Sequence, residues 1–401
     1  MTSSIMPTYA RLPVLFERGE GAWLWDKDGE RYLDALSGIA VCGLGHSNPV
    51  IRETLWEQAG KLLHTSNLYR IEPQEQLAEK LTQLSGMDNV FFCNSGTEAN
   101  EAAIKIARIF AHKQGIKSPV IITAEHSFHG RTLGALSATG NKNAQEGFEP
   151  LLDGFVNIPF DDIVALENIA TQNSDIVAVL VEPILGEGGI QVPAADYLVK
   201  VRKICTQNNW LMILDEVQTG IGRTGKFFAY QHNEIIPDVC TLAKALGNGV
   251  PIGACLATGQ AGKLMTAGKH GSTFGGNPLA CSVALSVIDQ IEQQGLATRA
   301  TELGTRLIND FKSRLDTNPS VRQIRGKGLM IGIELDQPCT ELINDALEHR
   351  LLISVQRSNT IRLLPPLIMQ DQEADTLVEI LSDLINNFTL NASTNSDYQR
   401  L

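Results

Sequence analysis

The stretch "DEVQTGIGRTGK", Asp215 to Lys226, sets two adjacent carboxylates in front of three glycines. Its second half spells G-x-G-x-x-G, a dinucleotide fingerprint, and also G-x-x-x-x-G-K, most of a Walker phosphate loop. The neighbouring residues argue against both. A dinucleotide fold carries the pyrophosphate from a strand straight onto glycine and a helix N-terminus. Here two anions intervene and would repel it. Phe227 and Phe228 are bulky for close helix–strand packing, and Phe227 stands where a Walker loop needs Ser or Thr to hold magnesium.

An acid at a strand's carboxyl end suits a ligand with a protonated ring nitrogen. Pyridoxal phosphate is one: its pyridine draws electrons only while protonated, and a nearby carboxylate favours that form. On spacing alone, Asp215 and Glu216 serve equally well as loop carboxylates or a helix cap. A lysine tips the balance. In "TLAKALGNGVPIGA", Lys244 follows a strand-like run among alanine, leucine and glycine. Apolar surroundings desolvate an ammonium, lower its pKa and leave an amine able to form a Schiff base. A lysine snorkelling from a helix is the commoner alternative. A phosphate site is then required. "FFCNSGTEANEAAIKIAR" runs a strand into Asn94, Ser95, Gly96 and Thr97 before a helix. Free N–H groups and the helix dipole there receive a dianion, and Gly96 lets the backbone close in. Ser95 and Thr97 suit an ordinary N-cap as well.

The elements that must position these groups follow from periodicity. From about residue 87, apolar runs at 89–93, 120–123, 176–181, 211–214 and 239–242 alternate with amphipathic stretches. In 97–113, for example, Ala99, Ala103, Ile106 and Phe110 keep helical spacing. This predicts an α/β fold with a mostly parallel central sheet, buried on both faces, and ligands at the carboxyl ends of its strands. The flanks differ. "WLWDKDGER" reads as a hairpin turning at Asp28 and Gly29, while 325–335 and 351–364 read as strands before a last helix. A small α+β domain built from both chain ends (1–66 and 306–401) is expected around a large domain at 67–305. The polar text after residue 385 is expected to fray.

The 401 residues are 43% apolar and carry a net charge of −12. An acidic chain is a poor partner for nucleic acid or an anionic membrane. Seven scattered cysteines without a C-x-x-C pair fit reduced thiols in a cytosol. No secretory signal and no stretch of roughly 20 apolar residues is apparent, so a cytoplasmic protein is expected. His46, His126, His129 and His270 have spacings that suggest no metal site, and loop or core roles are expected for them.

With "NSGTEANEAAIKIAR", "HSFHGRT", "LDEVQTGIGRTG", "LAKALGNGVPIGA" and "STFGGNPLA" in one chain, the sequence resembles the class III aminotransferases of the fold-type-I pyridoxal-phosphate enzymes. Within them it is similar to acetylornithine aminotransferases, over most of its length. The resemblance implies pyridoxal 5′-phosphate as cofactor, a homodimer with shared active sites, and a place in arginine biosynthesis. It implies that Lys244 carries the cofactor and shuttles the proton, and that Asp215 pairs the ring nitrogen. Val217 and Phe128 would cover the two ring faces, and Gln218 would reach the ring hydroxyl. Ser95, Gly96 and Thr97 would hold the phosphate, helped by Ser272 and Thr273 from the partner subunit, with Ser272 also beside the substrate. The glycines at 220–225 become a chain-turning loop.

For substrates, the resemblance implies that Arg131 holds the donor's α-carboxylate while Glu187 neutralises Arg362. Arg362 would be released when 2-oxoglutarate or glutamate enters. A plain structural ion pair is the alternative for Glu187 and Arg362. The expected reaction joins N2-acetyl-L-ornithine and 2-oxoglutarate. Ornithine aminotransferases carry tyrosine where Ile39 stands and tryptophan where His129 stands, and both departures favour the acylated donor. Succinylornithine, N-succinyl-diaminopimelate, ornithine and 4-aminobutyrate stay open as donors. A fold-type-I mutase or decarboxylase would share the cofactor but not the dependence on 2-oxoglutarate.

Overall fold

The strand Leu211–Asp215 is buried at every position, as a run apolar on both sides requires when both faces are covered. It is the fourth of seven strands in the main sheet of this computed structural model, which describes residues 4–398, with side chains to 390. Across the sheet the order is Asn89–Cys93, Gly253–Ala257, Val239–Leu242, Leu211–Asp215, Ile176–Val181, Val120–Ala124, Phe155–Ile158. Four successive pairs are parallel. Gly253–Ala257 alone runs against both its neighbours.

Five of the seven strands were legible as apolar runs. Gly253–Ala257 was not, because glycine and alanine carry little β-propensity. Its smallness has a cause: a Cβ on Gly253 would stand 2.4 Å from the Ser95 carbonyl oxygen. The core around these strands is closely packed. Leu214, fully buried, would cost roughly 2–5 kcal/mol to truncate to alanine. The helix Gly96–Lys113 lays Ala99, Ala103, Ile106 and Phe110 inward, starting from an N-cap in which Ser95 Oγ accepts from Glu98 N.

The hairpin at Asp28 and Gly29 forms as expected, pairing Trp23–Asp26 with Arg31–Asp34. Leu351–Leu352 joins it in parallel through Leu351 and Leu33. The stretch 325–335 is not one strand. It belongs to a hairpin, Val321–Lys327 with Met330–Leu335, that turns at Gly328 with φ +57. Likewise 351–364 breaks into Leu351–Leu352, Ser354–Gln356 and Thr360–Leu363, with Arg357 and Ser358 in left-handed turn geometry. The last helix runs on past residue 385, where fraying was expected, through Asp371–Tyr398, and residues 399–401 lie outside the described ones. Among the described residues no helix is long and apolar enough to cross a membrane, and the seven cysteines are free thiols.

Candidate active site

A cavity of about 380 Å³ opens at the carboxyl ends of the strands, lined by residues from the loops after five of them. Such an edge is where α/β sheets gather ligand groups. Asp215 ends the central strand and points into a closed hydrogen-bond network. Its Oδ2 accepts from Asn100 Nδ2 at 2.7 Å and lies 2.8 Å from His129 Nδ1. Its Oδ1 accepts from Val217 N at 3.0 Å. Asn100 also donates to the His129 carbonyl and accepts from Thr241 Oγ1, both at 2.8 Å. The carboxylate is thus fixed from three directions.

Lys244 lies in the same cavity just past Val239–Leu242, with φ +46. Burial lowers its pKa, and the Arg362 charge adds to the effect. Glu187, Asp215 and Glu182 oppose it. A lysine so placed offers its neutral, nucleophilic form more readily than a surface lysine does.

Ser95, Gly96 and Thr97 line the wall at the start of the helix Gly96–Lys113. Ser95 Oγ donates to Glu98 Oε2 at 2.8 Å, and Thr97 Oγ1 shares a 3.0 Å hydrogen bond with Thr132 Oγ1. A Cβ on Gly96 would stand 2.8 Å from both γ-carbons of Val217, and one on Gly130 only 2.1 Å from Thr97 Oγ1. Two glycines therefore let Val217 and Thr97 approach the cavity. Two buried polar atoms of lining residues, His129 Nε2 and Gln218 Oε1, have no protein partner. Orphans of this kind call for a ligand or water. Together with the acid, the lysine and the helix N-terminus, they fit a phosphorylated pyridine aldehyde.

Glu187 lines the cavity, and Arg362, 1% exposed at its side chain, stands behind it with Nη1 2.6 Å from Glu187 Oε1. Arg362 Nε donates to Ser354 Oγ at 3.1 Å. Arg131, also a lining residue, is exposed, its guanidinium 5.6 Å from the Phe128 ring centre. Three expected groups sit elsewhere. Ser272 Oγ accepts from Asn94 Nδ2 and Gly275 N outside the main cavity, and Thr273 is exposed; within one chain neither reaches the cavity. Ile39 is not a lining residue. Val41 is, delivered by a turn in which Ser37, Gly38, Ile39 and Ala40 all have φ between +46 and +65.

Several site residues were missed, His129 and Glu182 among them. His129, expected in a loop or core role, is the partner of Asp215; the signal was its place between Phe128 and Arg131 in "FHGR". Glu182 is buried directly after Ile176–Val181 and accepts from Phe128 N and Gly186 N, each at 3.0 Å. Burial raises its pKa to about 7 against the pull of His129. The signal was an acid straight after an apolar strand, the same clue that singled out Asp215.

The glycine loop runs into turns and a short 3-10 helix, Ala229–Asn233, rather than directly into an α-helix. Glu216 instead accepts from Ala229 N, Tyr230 N and Thr219 Oγ1. Arg223 is buried and donates to the carbonyls of Leu329 and Pro365.

The family model for class III aminotransferases matches residues 5–385. The acetylornithine aminotransferase of Nitrosomonas europaea is 57% identical over 386 residues, spanning 96% of this chain and 98% of that protein. Among solved structures, the ornithine aminotransferase of Toxoplasma gondii superposes with a TM-score of 0.93 at 33% identity, covering 98% of this chain and 94% of that one. The acetylornithine aminotransferase of Elizabethkingia anophelis gives 0.85 at 36% identity, with 95% and 96% covered. A match of this length and identity, on a cavity that offers a fixed acid, a depressed lysine and a glycine-opened helix N-terminus, makes the chain a member of the class III aminotransferases, enzymes that use pyridoxal 5′-phosphate.

Proposed function

We propose that this chain transfers the δ-amino group of N2-acetyl-L-ornithine to 2-oxoglutarate, giving N-acetyl-L-glutamate 5-semialdehyde and L-glutamate in arginine biosynthesis. The observation that carries the reading is one cavity flanked by Asp215, Lys244 and two arginines, one exposed and one masked by Glu187. The donor's identity draws on the 57% identical relative, an acetylornithine aminotransferase.

Pyridoxal phosphate, when bound, supplies an electron sink beside the carbon that bears the amine. The chain's residues do the rest. Ser95, Gly96 and Thr97 would hold its phosphate at the helix N-terminus. Val217 and Phe128 would cover the faces of its ring, and Gln218 would reach the ring hydroxyl. Asp215, aimed by His129 and Asn100, keeps the ring nitrogen protonated. Lys244 Nζ removes the proton from the donor's δ-carbon as a general base.

Substrate choice rests on charge. Arg131 clamps the α-carboxylate of acetylornithine, while Glu187 keeps Arg362 neutralised against an uncharged part of the donor. Glutamate or 2-oxoglutarate brings a second carboxylate, so Glu187 yields Arg362 to the α-carboxylate and Arg131 takes the distal one. Ser272 and Thr273 reach the phosphate and substrate from the partner subunit of a homodimer. The exposed Phe274 beside them supports that arrangement. The division into a large domain at 67–305 and a small one at 1–66 and 306–401 belongs to the same reading, and the pairing of Leu351 with Leu33 supports it.

Specificity constants test the donor. With 2-oxoglutarate as acceptor, acetylornithine should exceed ornithine, succinylornithine, N-succinyl-diaminopimelate and 4-aminobutyrate. A clear preference for free ornithine would overturn the assignment.

A further inference from the structure

The ion pair behind the cavity has a third member. Gln356 lies against both partners. Its Nε2 donates to Glu187 Oε2 at 3.1 Å, and its Oε1 accepts from Arg362 Nη2 at 2.8 Å. The neighbours dictate this amide orientation, because a carboxylate only accepts and a guanidinium only donates. With Arg362 Nη1 on Glu187 Oε1, the three side chains close a ring of hydrogen bonds. The strand Ser354–Gln356 builds it. Ser354 and Gln356 are two residues apart and share a face, and Ser354 is the register partner of Arg362. One side chain takes Arg362 Nε and the other takes Nη2.

We propose that Gln356 is a positioning residue that sets how readily the Glu187–Arg362 pair opens, and through it the affinity for the dicarboxylate acceptor. The inference rests on the functional reading above, in which the acceptor binds only when Arg362 is free. Apparent affinity then scales with the fraction of molecules whose pair is open. Gln356 touches both partners only while the pair is closed. When Glu187 swings away, the Gln356 Nε2 bond to it is lost, and Arg362 must leave the Oε1 as well to meet a new carboxylate. The amide therefore weights the closed state that suits the donor. Being neutral, it does so without the lasting attraction that a second carboxylate would impose on Arg362.

The test is calorimetric titration of 2-oxoglutarate onto holoenzyme, which needs no turnover. In Gln356→Met, which keeps length and removes both hydrogen bonds, Kd for 2-oxoglutarate should fall by about threefold or more. Gln356→Thr, which withdraws the amide altogether, should move it the same way. Single-turnover rate with acetylornithine alone should stay within about twofold. In a Glu187→Ala background, where only the Oε1 bond to Arg362 remains to be broken, Gln356→Met should tighten binding by less than it does in the wild type. An unchanged or raised Kd in both single variants would overturn the proposal, and so would equal tightening with and without Glu187. If the wild type prefers another amine, the donor assignment falls while the acceptor titration still decides the role of Gln356.

Discussion

His129 Nδ1 lies 2.8 Å from Asp215 Oδ2, with both side chains almost wholly out of solvent. A buried carboxylate held by an imidazole keeps one orientation, and the orientation is what a ring nitrogen needs. Truncating His129 to alanine leaves Asn100 as the remaining side-chain donor on Asp215. Losing a hydrogen bond to a charged group costs about 1.5–3 kcal/mol, so kcat should fall roughly 10- to 100-fold. Asp215→Asn should cost more, about 10²- to 10⁴-fold. Steady-state assays compare the two, and a wild-type rate in Asp215→Asn would bring down the proposed role of the acid.

Lys244→Ala removes the amine whose pKa burial lowers. Turnover should vanish. The wild type should purify yellow and bleach with borohydride, while the variant keeps no borohydride-trapped lysine adduct. Peptide mass analysis after reduction reads the difference.

Arg362→Lys replaces a planar fork by a point charge and should raise KM for 2-oxoglutarate about 10- to 100-fold. The half-reaction with acetylornithine should change little, because Glu187 masks that charge during it. Arg131→Lys should raise KM for donor and acceptor alike. Kinetics on each substrate separate the two arginines.

Gly130 has φ +135, and a Cβ there would strike Thr97 Oγ1 at 2.1 Å. In Gly130→Ala, Thr97 must leave its place at the helix N-terminus, with backbone strain added. Cofactor retention on dialysis should weaken by about tenfold or more, with fold stability falling less.

His46 Nε2 bonds Asp34 Oδ2 at 2.8 Å. Burial alone would lower the histidine's pKa, but Asp34 and Cys42 override it and raise the value to about 9. The folded state thus prefers the protonated ring. The resulting stabilisation is complete below the ordinary pKa near 6.5 and disappears as pH climbs through 9. Its size is about 1–3 kcal/mol. Urea unfolding at pH 6 and pH 9.5 should show the loss in the wild type and a flatter response in His46→Gln.

The sheet and the residues that meet in the cavity were readable because burial writes itself into the chain as apolar runs, and polar exceptions stand at their ends. Asp215, Lys244 and Ser95 to Thr97 are such exceptions. His129 and Glu182 escaped because their significance lies in a partner 86 residues away for one and in two loop amides for the other. Gln356 escaped for the same reason: nothing local marks an amide whose partners sit on other strands and loops. Ser272 and Thr273 were named by resemblance, and one chain alone does not carry them to the cavity.

Arg223 hooks the carbonyls of Leu329 and Pro365 from the loop that follows Asp215. Pro365 lies three residues beyond Arg362. Asp215 and the guanidinium of Arg362 behind the cavity are therefore graduations on one stiff gauge. In the proposed reaction the dicarboxylate that takes Arg362 from Glu187 would meet it at a distance from Asp215 that this frame sets. The loop that imitates a nucleotide fingerprint is thus the rivet that keeps the gauge true.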